Sequence, residues 1–248
     1  MQNLEFTTGR IRPIECVKEA WDLIKDEYWV LFAVSLVGAI IGGMTMYVLL
    51  GAMICGIFRC YLTKIDGGKV NFEDLWRGME YFRQSLLVTI LFVVPIVIYF
   101  VAIFVTMYLP ILMKAVAGSR VSDEELLITV VIVLVVDVII AVVMVTLHSL
   151  MMFSFPLIVD RGLPGWDAIK LSARAVMKNL GGVGGLIVVN FGLIILGYIA
   201  LCVGLYFIIP VITAGNLVAY RKVFPAIAHP PAHTPPPPNA YPYLTANS

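Results

Sequence analysis

Residues 126–159 read LLITVVIVLVVDVIIAVVMVTLHSLMMFSFPLIV, and Asp137 is the only acidic residue among them. A helix needs about 20 predominantly apolar residues to cross the hydrocarbon core of a bilayer, so this run is long enough to span a membrane. The whole chain of 248 residues is 60% hydrophobic and 13% charged. A soluble domain carries about 25% charged residues. The sequence therefore predicts an all-α polytopic membrane protein.

Similar apolar runs divide the chain into four blocks: 28–62, 84–113, 126–159 and 183–220. The first and last blocks are too long for one crossing and contain glycines near their middle, Gly42-Gly43 and Gly204. We interpret each of these two blocks as a tight helical hairpin and each middle block as a single span. The prediction is six transmembrane helices, at about residues 28–42, 45–62, 84–113, 126–154, 183–201 and 204–220.

Basic residues give these spans an orientation. Of the 17 Lys and Arg residues, only Lys114 and Arg120 lie between the second and third blocks. All the others then fall on one face, which the positive-inside rule makes cytoplasmic, and both termini are predicted to be cytosolic. Ser122 and Glu125 are spaced to form a capping box at the start of the fourth span. The third and fourth spans exceed the bilayer thickness, so we expect them to tilt or to project beyond it.

Each of the three predicted hairpins is preceded by an amphipathic interfacial helix, at about residues 13–27, 71–83 and 164–179. Apolar residues recur in each with spacings of 3, 4 and 3, which places them on one helical face. The three sets are Ile14, Val17, Trp21 and Ile24; Phe72, Leu75, Met79 and Phe82; and Trp166, Ile169, Ala173 and Val176. The sequence AWDLIK at 20–25 recurs as GWDAIK at 165–170. We interpret this pattern as a threefold internal repeat whose apolar stripes pack on the inner ends of the spans.

Polar residues inside the spans define a candidate intramembrane site at Asp137, His148 and Asn190. Ionisable residues at this depth are rare and mark functional sites by default. One interpretation is a proton relay or a polar substrate site along these three residues. The alternative is a protonated Asp137 that is hydrogen-bonded to a neighbouring helix, with His148 near the inner interface.

A second candidate site lies on the third interfacial helix, where Lys170, Arg174 and Lys178 follow one another at intervals of four residues. This spacing places the three positive charges on one face. The face is either a solvated surface of the collar around the spans or a contact site for anionic lipid headgroups.

Residues 225–248 form a Pro-rich segment that includes Pro235 to Pro238. Its low apolar content predicts a disordered cytosolic tail after a membrane domain of residues 1–224. The chain carries no signature of a hydrolase, a metalloenzyme or a nucleotide-binding enzyme. We therefore expect no catalytic residues, no metal site, no cofactor and no nucleic-acid partner.

Several stretches resemble a family of uncharacterised bacterial six-span membrane proteins. The resemblance rests on AWDLIKDEYW, GAMICGIFRCYLTKIDGGKVNFEDLWRGMEYF, FSFPLIVDRGLPGWDAIKLSARAVMKN and PVITAGNLVAYRKVF, and it covers most of residues 13–224. That family is similar to the membrane domain attached to some glycerophosphodiester phosphodiesterases. The resemblance implies six spans and no established catalytic residues, and the soluble phosphodiesterase barrel has no counterpart here.

Two functions are consistent with these patterns. The first is a non-enzymatic protein of the bacterial cytoplasmic (inner) membrane that serves as a scaffold or accessory subunit of a membrane complex. The alternative is a small transporter or lipid-handling protein with a polar site near mid-membrane. The expected partners are membrane lipids, and other membrane proteins or further copies of the same chain.

Overall fold

The computed structural model describes residues 6–116, 122–200 and 203–226. Within these ranges the chain forms α-helices and one 3₁₀ segment, and no strand. The elements are α1 Pro13–Ile24, α2 Tyr28–Met44, α3 Leu50–Ile65, the 3₁₀ segment Phe72–Tyr81, α4 Phe82–Val116, α5 Asp123–Leu150, α6 Ser154–Arg161, α7 Gly165–Lys178, α8 Leu180–Ile199 and α9 Val203–Val223. The predicted tail lies outside the described residues from residue 227 onward, as does Arg120.

Four helical stretches are long and apolar enough to cross a membrane: Phe72–Leu109, Leu127–Arg161, Leu180–Ile199 and Gly204–Val223. A fifth candidate is the pair α1 and α2, which is bent by 103° at the break between the two helices. The prediction of an all-α protein with several apolar helices of membrane-spanning length is therefore confirmed. Six crossings stay a prediction, because α2 has 17 residues and α3 only 16.

The turn between α2 and α3 covers residues 45–49, later than the predicted break at Gly42-Gly43. Gly42 lies within α2, where a Cβ atom would come 2.8 Å from Leu50 Cδ1, so this glycine serves close helix packing. The turn itself uses Met46 and Tyr47 at φ angles of 50° and 67°. The predicted capping box at Ser122 and Glu125 is present at the start of α5.

The predicted interfacial helix at 71–83 was wrong in type, because residues 72–81 form the 3₁₀ segment. In a 3₁₀ helix, side chains three residues apart align in one row. Leu75 and Gly78 form such a row and press against α3. A Cβ on Gly78 would lie 2.1 Å from Ala52 O, and one on Gly56 would lie 2.1 Å from Leu75 O. The two backbones are therefore in direct contact.

The buried faces of α1 and α7 are offset from the predicted apolar stripes. The predicted stripe residues Ile24 and Val176 are buried as expected. Most other buried residues of these faces are small: Cys16 and Ala20 on α1, and Gly165, Ala168, Ser172 and Ala175 on α7. Trp21 and Trp166, which the prediction placed inward, are 46% and 54% exposed. Small side chains allow close backbone approach, and the large indoles are displaced to the exposed edge, as at a membrane interface.

Each of the three segments that precede a predicted hairpin packs on another helix of the chain. The 3₁₀ segment packs on α3, α7 packs on α6, and α1 packs on α9, which brings the two ends of the domain together. Asn179, between α7 and α8, fixes the N-terminal segment by accepting a hydrogen bond of 2.8 Å from Gly9 N. The internal repeat stays a prediction, and this packing is compatible with it.

Charged residues near the start of α2 and the end of α3 join the two helices. Lys64 lies 2.6 Å from Asp26 and 3.2 Å from Glu27. The hydrogen bond from Lys64 holds the pKa of the Asp26 carboxyl below its usual range. The Glu27 carboxylate also accepts a hydrogen bond from Val70 N. This cluster therefore ties the segment after α3 to the base of α2.

Burial is concentrated in α1, α3, α6, α7 and the C-terminal half of α9. In the most apolar stretches of α4 and α5, only 11% and 0% of the residues are buried. These two helices contact each other, and we call the pair the α4–α5 arm. Helix α4 has 35 residues and is about 52 Å long, and α5 has 28 residues and is about 42 Å long. Their length agrees with the expectation that the third and fourth spans exceed the bilayer thickness.

Candidate functional site

A cavity of about 470 Å³ is lined by residues of seven helices, α2 to α6, α8 and α9. Its lining is mostly apolar and includes Ile54, Phe58, Phe92 and Phe155. The polar residues that face it come from four helices and are Ser35, His148, Ser149, Asn190, Thr213 and Asn216. No Asp, Glu, Lys or Arg of the described ranges lines the cavity. Such a mainly apolar lining with a few converging polar groups is typical of small-molecule sites.

Two asparagines form the polar centre of the cavity. Asn190 on α8 donates a hydrogen bond of 2.8 Å through Nδ2 to Asn216 Oδ1 on α9. Asn190 Oδ1 is buried and accepts no hydrogen bond from the described residues. A buried acceptor without a donor costs about 1–3 kcal/mol, so this oxygen is poised to bind a donor group. Asn216 was missed at the sequence level, although an amide within the predicted span 204–220 was a usable signal.

His148 contacts two backbone carbonyls from different helices. Its Nδ1 lies 2.8 Å from Met144 O on its own helix, and its Nε2 lies 3.0 Å from Phe92 O on α4. Carbonyl oxygens only accept hydrogen bonds, so the imidazole acts as the donor in these contacts. His148 therefore clamps α5 to α4 at the edge of the cavity.

Asp137 lies away from the other two candidates. It lines a separate groove of about 360 Å³ between α4 and α5, together with Tyr99, Met107 and Thr129. Its Oδ1 atom is buried and has no hydrogen-bond partner among the described residues. The structure thus brings His148 and Asn190 to one cavity and places Asp137 about three helical turns from His148. Within the described ranges, no continuous path of hydrogen bonds joins the three residues.

Buried rings and an ion-pair network follow the cavity residue Asn216 along the chain. Phe153, which precedes α6, packs with Tyr220 near the end of α9 and Phe224 just after it, with ring centroids 5.2–6.2 Å apart. Next to these rings, Arg221 donates to Asp160 at 2.8 Å and to both oxygens of Asp66 at 2.9 and 2.6 Å. The sequence revealed the basic residues but gave no signal for which acids they meet.

Some residues that line the cavity are also exposed at the surface of the protein. Val145 on α5 and Ile209 on α9 line the cavity and are also 51% and 44% exposed. Because these residues are both apolar and exposed, the cavity opens laterally, on a surface suited to lipid chains. The cavity is therefore reachable from the side, between Val145 and Ile209.

The basic face of α7 is a second, separate feature. Lys170, Arg174 and Lys178 are all exposed, and Lys170 Nζ lies 5.4 Å from the centroid of the Trp166 ring. In the part of the chain that the structure describes, none of the three pairs with a carboxylate. The predicted lipid-headgroup residues therefore share one open surface.

The described residues contain no group of His, Cys, Asp or Glu side chains that could hold a metal ion. Comparison of the chain with known protein families, curated proteins and solved structures gives no significant match. The resemblance to bacterial six-span membrane proteins stays an expectation, and the function has to be argued from the cavity and surfaces described above.

Proposed function

We propose that this chain is a non-enzymatic protein of the bacterial cytoplasmic membrane that binds a lipid or another neutral amphipathic molecule in the cavity. It would act as a lipid-handling protein or a small transporter. The observation that carries the proposal is the buried, unpaired Oδ1 atom of Asn190 within a mainly apolar cavity that opens laterally. A ligand with a hydroxyl or amide donor and an apolar body would satisfy both the oxygen and the lining.

The charge of the cavity favours a neutral ligand group. No Asp, Glu, Lys or Arg side chain of the described ranges lines it, so an ionic headgroup would be desolvated there without one of these side chains as a counter-charge. His148 already contacts two carbonyls through its ring nitrogens. The volume of about 470 Å³ lies in the usual range for a single small ligand or part of an acyl chain.

The experiment is to purify the full-length protein in a mild detergent and to identify bound small molecules by mass spectrometry. Wild type should retain a defined amphipathic molecule, and Asn190→Leu, which keeps the volume but removes the acceptor, should lower retention about tenfold. Thr146→Val is the matched control, because Thr146 is exposed on α5 and bonds only to Val142 O. Absence of any defined molecule in wild type, or equal retention by Asn190→Leu, would contradict the proposal.

A second candidate function is a scaffold or accessory subunit, and the α4–α5 arm favours it. The arm exposes nearly all of its apolar surface within the single chain, which suits contact with lipids, other membrane proteins or further copies. Protein identification in the same mild-detergent preparation tests this candidate. A stoichiometric membrane-protein partner without a defined small ligand would favour the scaffold.

A further inference from the structure

The helix α7 presents three different faces to its surroundings. Its inner face packs against α4, α5 and α6. A second face carries Lys170, Arg174 and Lys178. Between them lies an exposed apolar edge with Trp166 and Met177. This combination of a basic face and an apolar edge is typical of helices that lie in the membrane interface.

The inner face fixes the rotation of α7 about its axis. A Cβ atom on Gly165 would come 2.4 Å from Gln84 O, so this end of α7 touches the backbone of α4. Ser172 Oγ donates to Leu150 O at 2.7 Å and accepts from Phe153 N at 3.0 Å, which satisfies the break between α5 and α6. Because these contacts are specific, the basic face is held outward and cannot turn toward the bundle.

The three cations on α7 differ from most other basic residues of the described chain. Arg59, Lys64, Arg161, Arg221 and Lys222 each lie within 4.0 Å of a carboxylate. Lys170, Arg174 and Lys178 do not, although Asp167 lies on the same helix. Three adjacent cations that repel one another without a counter-charge indicate an external anionic partner.

We infer that the basic face of α7 binds the phosphate groups of anionic phospholipids in the surrounding leaflet. Arg174 offers a planar fork of donors that matches phosphate oxygens, and the two lysines flank it one turn away on each side. The exposed Trp166 ring lies where an interfacial indole meets the headgroup level, and Lys170 is held over that ring. This surface is independent of the cavity that contains Asn190.

The test adds phosphatidylglycerol or phosphatidylcholine to the full-length protein in a neutral detergent and counts the bound lipids by native mass spectrometry. Wild type should prefer phosphatidylglycerol. The combined variant Lys170→Gln, Arg174→Gln and Lys178→Gln should lose this preference at least about tenfold, because each cation near an anionic surface contributes about fivefold. The matched control Arg12→Gln, Lys25→Gln and Lys69→Gln removes the same charge from other exposed positions and should bind like wild type.

A charge-conserving variant, Lys170→Arg with Lys178→Arg, should also keep the preference. This variant distinguishes a loss of binding caused by lost charge from one caused by a change in fold. The inference is overturned if the glutamine variant binds phosphatidylglycerol like wild type, or if the charge-conserving variant loses the preference as well. Displacement of the lipid by inorganic phosphate would assign the face to a soluble anion. Loss of an acidic protein partner with unchanged lipid binding would assign it to a protein.

Discussion

Arg221 and Asp160 form an ion pair of 2.8 Å that joins the end of α9 to the end of α6. The same guanidinium also binds Asp66, which follows α3, so one side chain connects three separate parts of the chain. Tyr220 donates a further hydrogen bond of 2.7 Å to Asp160. Both Arg221 and Asp160 are largely shielded from solvent, so removal of one partner costs more than at an ordinary surface pair because it leaves a shielded charge uncompensated.

Arg221→Gln is expected to destabilise the protein by about 2 kcal/mol, because it leaves the partly buried carboxylate of Asp160 without its principal cation. Thermal unfolding of the purified protein in detergent measures the effect. Arg12→Gln breaks an exposed pair with Glu15 and should change stability by less than about 0.5 kcal/mol. Equal effects of the two substitutions would show that the Arg221 network does not hold these helices together.

Gly56→Ala is expected to destabilise the protein by about 3 kcal/mol, because the new methyl group would lie 2.1 Å from the carbonyl oxygen of Leu75 and force α3 away from the 3₁₀ segment. The control is Gly192→Ala on α8, where no atom lies within 4 Å of the added carbon. That substitution should be neutral or stabilise by up to about 1 kcal/mol through helix propensity. Unfolding midpoints of the two variants in the same detergent distinguish these outcomes.

The apolar blocks predicted long helices well because hydropathy and helix length are local properties. The capping box at Ser122 and Glu125 was predictable for the same reason, since both partners lie within one turn. The contacts of Arg221 with Asp66 and Asp160 were not, because they join residues far apart in sequence. Trp21 and Trp166 were placed inward because periodicity identifies an apolar face but cannot tell protein from lipid as its neighbour. The hydrogen bond between Asn190 and Asn216 was likewise not predictable, because it depends on how α8 packs on α9.

Asp137→Asn is expected to leave the retained cavity ligand unchanged, because Asp137 lines the groove between α4 and α5 and not the cavity with Asn190. Asn190→Leu serves as the contrasting variant in the same mass-spectrometric measurement. If Asp137→Asn removes the ligand as completely as Asn190→Leu does, the two sites act together and the separation of groove and cavity is functionally irrelevant.

The depth of the α2–α3 turn decides between six crossings and a smaller number. Close contacts place Gly51, just after the turn, against Ser85 and Thr89 near the start of α4, whereas α4 continues to Val116. The turn is apolar, and its N–H groups bond internally, including Tyr47 N to Gly42 O and Leu49 N to Thr45 Oγ1. Backbone that satisfies itself in this way can lie within the hydrocarbon region.

Val48→Cys, in a background in which the native cysteines are replaced, is therefore expected to resist a membrane-impermeant thiol reagent from either side of the membrane. A re-entrant hairpin and a double crossing give the rest of the chain the same sidedness, because both return it to the cytosolic face. A reporter after Ser248 should accordingly stay cytosolic and one inserted near Gly118 should be exported, while Lys69→Cys should react only from the cytosolic side. Labelling of Val48→Cys from outside would instead establish the six crossings that the hydropathy pattern predicts.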